Sequence, residues 1–303
     1  MKRYLPYLAG VTMSLIFGFS FLFSKAALET LSTFELLFLR FTTATVTMSL
    51  LILFGVVNVN LKGKNLKPLI LVAFWQPIIY FIMETKGLQY TTSSEAGVMM
   101  AFIPVLVAIL AAFLLQENPS KLQWVFIIIS VIGVIIIVLG GGNLETKGQL
   151  KGIVFLLSAV FSAAMFNIYS RKASQNFTPY ETTYFMMILG MIVFGLLYLI
   201  QGIVMGDINI LAKINTKVLI SIFYLGVLSS VFAFLLVNYS LSKLPASQSS
   251  VFANLTTVVS VIAGITIRHE SFELYKLFGA IMIIIGVWGT NYFGILKNKN
   301  LGG

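Results

Sequence analysis

The hydrophobic positions of this chain fall in long unbroken runs, without an amphipathic rhythm. AFIPVLVAILAAFLLQE, Ala101 to Glu117, has no polar face and stops at a glutamate. A soluble helix of that length would show one. Ten such runs occur: Tyr4–Phe23, Phe34–Val57, Pro68–Met83, Ala96–Leu115, Leu122–Leu139, Ile153–Tyr169, Thr183–Val204, Val218–Asn238, Ala246–Ile267 and Leu274–Ile295. A bilayer core of about 30 Å takes about 20 apolar residues per helix. The third and sixth runs are short and leave room to extend into their flanks. The gaps are too short for a soluble domain. Backbone polar groups must be satisfied within lipid, so the runs must be helices. The alternation of barrel strands is absent. The pattern therefore predicts an all-α membrane protein of ten transmembrane helices.

Composition agrees. The chain is 58% hydrophobic and 10% charged, whereas a soluble domain carries roughly 25% charged residues. Lys2 and Arg3 precede the first run, and Ser24-Lys25-Ala26 imitates a signal cleavage site. Secretory signals have an apolar region of about 7–15 residues. Tyr4–Phe23 is longer, so a retained first helix is expected. There is no cysteine, and His269 is the only histidine. Thiol catalysis, disulfides and cysteine or histidine metal clusters are excluded.

Charge suggests an orientation. With the N-terminus inside, the inner segments hold 11 Lys and Arg, and the outer loops hold 8. Basic residues favour the cytoplasmic side in short loops. Eight of the ten acidic residues fall outside, so nearly all of the +10 charge faces the cytoplasm. Anionic lipid attracts it there. This accounts for the basic balance without nucleic acid. The expected location is the cell membrane, multi-pass, with both termini cytoplasmic.

The chain also repeats. Shifted by 153 positions, Met83–Gly141 lies over Leu236–Gly294 without a gap. Glu117 falls on Glu270, Ser94 on Ser247, Leu88 on Leu241, and Gly133-Val134 on Gly286-Val287. Earlier in each half, STFE (Ser32–Glu35) lies over TPYE (Thr178–Glu181), and Ser24-Lys25 over Ser170-Arg171. Residues 1–142 and 149–296 are thus read as two five-helix repeats. Five is odd, so two such units in one chain must sit upside down relative to each other. Inverted repeats around a central cavity are characteristic of secondary transporters. Pro104 frees a carbonyl about a turn earlier in its helix. Its counterpart is Thr257, so that break is not duplicated.

IFGFSFLFSKAAL (Ile16–Leu28) resembles the first-helix signature of EamA-type members of the drug/metabolite transporter superfamily. LQYTTSSEAGVMMAFIPV and LSKLPASQSSVFANLTTV resemble that family's starts of helices four and nine. QENPSKLQWVFIIISVIGVIII resembles its link from helix four to five. The resemblance covers nearly the whole chain. It implies ten helices, a central cavity between inverted bundles, cytoplasmic termini, and export or uptake of small metabolites such as amino acids or nucleotide-type compounds. Phe17 stands where many members have Trp.

Several polar groups within or beside the runs are candidates for the work. Glu84, near the outer end of the third run, reads as a proton-coupling or substrate-amine carboxylate, because ionisable groups in spans are costly. The other reading is an interfacial glutamate, paired with Lys86 or wetted outside. Glu95 opens the fourth helix, where the dipole favours an acid anyway. Arg40 lies six residues into the second run, roughly 9 Å along the helix. It could hold a substrate carboxylate, snorkel, or pair with Glu35 or Glu29. Lys25 and Arg171 hold matching places in opposite halves, which suggests anchoring of helix ends. Trp75, Gln76, Tyr80, Asn167, Tyr169, Asn238, Gln248 and Asn254 either bond neighbouring helices or line the cavity. The residues alone leave that choice open.

A secondary transporter is the leading reading, with a small-molecule substrate, a lipid bilayer around it, no cofactor and no metal. Proton coupling is compatible with it, and oligomeric state is not legible. No phosphate loop G-x-x-x-x-G-K-[ST] occurs, so the chain does not itself drive transport with ATP. A membrane-embedded enzyme would need clustered catalytic groups, yet Asp207 is the sole aspartate. A non-transporting receptor stays open as well.

Overall fold

The computed structural model describes residues 5–114, 120–139, 147–206, 209–244, 246–250, 252–270 and 273–301. Among them the chain forms ten helical spans. They are α1 (Leu5–Ala27), α2 (Thr33–Leu53), α3 (Lys67–Tyr90), α4 (Ser93–Met100 and Ile103–Leu114), α5 (Lys121–Leu139), α6 (Lys147–Ala173), α7 (Pro179–Met205), α8 (Thr216–Lys243), α9 (Ala246–Ser250 and Phe252–Arg268) and α10 (Leu274–Leu301). Among the described residues, seven helices are long and apolar enough to cross a bilayer, and shorter apolar helices supply the rest. The two runs that are short in the sequence become full spans. Polar ends absent from the hydropathy pattern, such as Glu84-Thr85-Lys86 and Arg171-Lys172, continue the helices.

Among the described residues, three helices are interrupted. In α3, Gln76 takes non-helical angles (φ −146, ψ 115) within a wide π turn, Phe74–Ile79, that contains Pro77. In α8 a π-helical segment spans Tyr224–Phe232. In α4 the helix breaks at Ala101-Phe102, just before Pro104, where a missing N–H is expected to disturb it. Such breaks persist at membrane depth where a neighbour or a cavity serves the backbone. In α3 the Trp75 carbonyl accepts from Ser162 Oγ of α6 at 2.6 Å.

Packing follows a regular scheme. α2 packs on α7, α4 on α9, and α5 on α10; α1 packs on α8 and α9, and α6 on α3 and α4. Each contact recurs when every helix number moves by five. At the α5–α10 crossing, a Cβ on Gly133 would come within 2.7 Å of the Gly279 carbonyl. Small residues let these backbones meet.

Local details recur in the same way. Ser32 and Glu35 form a capping box at the start of α2, and Thr178 and Glu181 form one at the start of α7. Lys213 reaches Glu35 at 2.7 Å, and Lys64 reaches Glu181 at 2.8 Å. Lys25 Nζ donates to the carbonyls of Leu88 and Thr91 at the end of α3. Arg171 Nη1 donates to Leu241 at 2.8 Å and Ser242 at 3.0 Å at the end of α8. A cation on the last carbonyls of a helix satisfies groups with no partner inside it and complements its dipole. Both residues thus anchor helix ends, as their matched positions suggested.

A cavity walled by aromatic rings

A cavity lies between α1, α2, α3, α4, α6, α8 and α9. Its volume is about 90 Å³, several times the roughly 10–15 Å³ that one water needs, so a small ligand has room. Phe17, Phe81, Phe166 and Phe234 form much of the wall. Phe234 meets Phe17 edge-on at 5.4 Å, and Phe81 and Phe166 each at 6.1 Å.

Two opposite charges enter this apolar chamber. Arg40 of α2 is 2% exposed and Glu84 of α3 is 1% exposed, and both line the cavity. Arg40 donates from Nε to Ser230 Oγ and from Nη2 to Ser229 Oγ, each at 2.8 Å. Its guanidinium carbon stands 4.2 Å from the Phe81 ring centre, a cation–π contact. The two serines come from the π segment of α8, so its widened turn serves Arg40. Nη1 has no partner among the described residues. Glu84 Oε2 accepts from Thr85 Oγ1 at 3.3 Å, which leaves Oε1 without a described partner. No ion pair within 4 Å joins Arg40 to Glu84, yet each feels the other's charge.

Two of the open choices close here. Arg40 does not snorkel, and Glu35 and Glu29 pair elsewhere, with Lys213 and with Lys217 and Arg268. Glu84 does not pair with Lys86, whose ammonium lies over Phe34 at 5.8 Å and Phe155 at 5.9 Å.

The other candidates divide. Gln76, on the broken turn of α3, lines the cavity, and its amide has no described partner. Tyr80 lines it too and its hydroxyl donates to Met100 Sδ at 3.6 Å. Asn167 lines it while donating to the Ala163 carbonyl at 2.8 Å. Glu95 instead completes a capping box with Thr92. Trp75 packs against Phe161 at 5.7 Å. Tyr169 packs on the core beside Lys172. Asn238 ties α6, α7 and α8 together, accepting from Ser170 at 2.8 Å and donating to Thr183 at 2.9 Å. Asn254 lies on α9 with Oδ1 buried and unpartnered, outside the residues that line the cavity. The Gln248 side chain and Glu117 lie outside the described residues.

Sequence reasoning missed Ser229, Ser230, Phe81 and Thr256 as parts of the site. The Ser-Ser pair inside an apolar span was the available signal. Among the described residues no cluster of three His, Cys, Asp or Glu could hold a metal ion.

Comparison with known proteins accords with this architecture. The model of the EamA-like transporter family matches residues 5–139 and again residues 150–292. An uncharacterized transporter of Bacillus subtilis, YcxC, is 38% identical over 298 residues, covering 98% of this chain and 96% of that one. An uncharacterized transporter of Archaeoglobus fulgidus is 26% identical over 289 residues, covering 95% and 98%. A solved structure described only as a crystal structure of a protein superposes with a TM-score of 0.67 at 15% identity, covering 94% and 97%, which speaks to the fold alone. With the family model matched over most of its length and a 38% identical relative spanning nearly all of it, the chain belongs to the EamA-like transporter family.

Proposed function

We propose that this membrane protein is a secondary transporter of small zwitterions of the amino-acid type, working by alternating access between two inverted five-helix halves. The observation that carries the reading is the pair Arg40 and Glu84. Opposite charges are buried on one cavity, each with an edge unused by the protein. Arg40 would take a substrate carboxylate through Nη1. Glu84 would take the ammonium, or a proton when the site is empty. A buried carboxylate in an aromatic chamber is costly to leave ionised without a cation beside it. That cost is a physical basis for exchanging proton against substrate. Phe17, Phe81, Phe166 and Phe234 would receive the apolar remainder of the ligand.

The helix contacts that recur at an offset of five, and the family model that matches twice, support the inverted arrangement. Two related packings of similar free energy can exchange, and a ligand or gradient shifts their populations. The basic bias and the family resemblance both support cytoplasmic termini in the cell membrane. The family resemblance admits export or uptake, and export is the direction proposed here.

Proteoliposomes test the reading. Parent protein should accumulate a labelled amino acid under an imposed pH gradient. Glu84→Gln should lose gradient-driven accumulation while keeping part of its exchange. Accumulation unchanged in Glu84→Gln would remove the glutamate from the coupling step.

A further inference from the structure

α4 and α9 meet beyond the cavity in a way that the ligand site does not require. Thr256 of α9 and Met100 of α4 line the cavity. From there toward the start of α4 and the end of α9, the helices close on each other. Thr257 Oγ1 donates to the Gly97 carbonyl at 2.7 Å. A Cβ on Gly97 would come within 1.6 Å of Ser260 Oγ, and one on Gly264 within 2.2 Å of Ser94 Oγ. No path for a solute remains between backbones that close.

The end of this seam is fastened by a carboxylate. His269 takes a left-handed conformation (φ 54) after α9, and the Glu270 N–H returns to the Gly264 carbonyl at 3.1 Å. That turn sends Glu270 back across the start of α4. Oε1 accepts from Ser93 N–H at 3.0 Å, and Oε2 from Ser94 N–H at 2.9 Å and Ser94 Oγ at 2.6 Å. An anion at a helix N-terminus takes up free N–H groups and meets the positive end of the dipole. Burial works to raise the Glu270 carboxyl, but the bonds from Ser94 and Ser93 outweigh it and hold the group below the ordinary glutamate value. The latch is therefore an ionised one. Glu29 pairs with Lys217 and with Arg268 nearby, but these contacts are exposed, and exposed ion pairs contribute little.

We propose that Glu270 is a gate residue: its carboxylate latches the end of α9 to the N-terminus of α4 and keeps the cavity closed toward that face. Opening on that face requires the three bonds to break and the Gly97–Ser260 and Ser94–Gly264 contacts to part. The proposal deepens the alternating-access reading and rests on it for its purpose, but the closure itself can be measured without transport.

The chain has no cysteine, so a single thiol reports access directly. Ala253→Cys places one on the cavity wall of α9. A membrane-impermeant methanethiosulfonate is applied from the Glu270 face, with Glu270 intact and with Glu270→Gln. The expected result is a labelling rate at least tenfold higher in the double variant. Glu29→Gln in the same background should change it less than twofold. Ser94→Ala and Gly264→Ala serve as second variants should Glu270→Gln fail to fold, and both should raise the rate. An unchanged rate in folded Glu270→Gln, or fast labelling from that face with Glu270 intact, overturns the latch. A raised rate in protein that moves no substrate supports the latch and contradicts the carrier reading.

Discussion

Arg40 carries a conflict between charge and burial that its neighbours resolve. A guanidinium in an apolar chamber needs donors satisfied and a counter-charge in reach. Ser229, Ser230 and Phe81 hold it, and Glu84 is an opposite charge lining the same cavity. In the proposed site the serines are positioning residues: they hold Nε and Nη2 of the guanidinium and would leave Nη1 for a substrate carboxylate. A hydrogen bond to a charged group contributes roughly 1.5–3 kcal/mol, and the low end of that range corresponds to about a tenfold change in apparent affinity. Ser229→Ala and Ser230→Ala should each raise KM for a zwitterion by about tenfold with the maximal rate changed far less. Arg40→Lys should lose more than either, because a point charge cannot keep both serine bonds and the stacking on Phe81. A Ser229→Ala, Ser230→Ala double variant with parental KM would show that they only fill space.

At the scale of the helix, the anchors are the informative feature. Lys25 holds the last carbonyls of α3, and Arg171 those of α8. Lys25→Met should cost about 1–2 kcal/mol, the range for a partly buried cation at a helix C-terminus, read as a lower melting temperature in detergent. Arg171→Met should do the same. Parental melting together with lost uptake would assign Lys25 to the chemistry instead. These anchors were legible in the sequence because the repeat placed Ser24-Lys25 over Ser170-Arg171 and Leu88 over Leu241, and those landmarks now meet in space. The span count was legible for a simpler reason: hydropathy alone sets it. The break at Gln76 was not. It depends on how α6 and the cavity take up freed backbone groups, and a list of apolar residues carries no record of that. Nor could apolar runs say which of eleven polar candidates turn inward. Asn238 and Glu95 are consumed by structure, whereas Gln76, Tyr80, Glu84 and Arg40 face the cavity. Residue type is similar in both groups, and only the helix rotation separates them.

At the scale of the whole molecule, the polar residues arrange themselves as two seams and a centre. On one face Glu270 closes α4 against α9, and Lys213 ties α7–α8 to Glu35. On the other face Lys64 ties the α2–α3 link to Glu181. Between them stands the Arg40–Glu84 chamber, where the ligand would meet residues of both halves at once. A ligand so placed can bias which seam is open, provided its affinity differs between the two packings. The claim at the centre of this account is recognition of both charges of one small molecule. The most direct measurement is uptake of a labelled amino acid with an apolar side chain into proteoliposomes, in competition with its methyl ester and with its N-acetyl form. The account predicts that the unlabelled parent amino acid competes fully and that each singly blocked form competes at least tenfold more weakly, with the ester's disadvantage vanishing in Arg40→Ala. Equal competition by all three would contradict it, because a site indifferent to both charges is not built on Arg40 and Glu84.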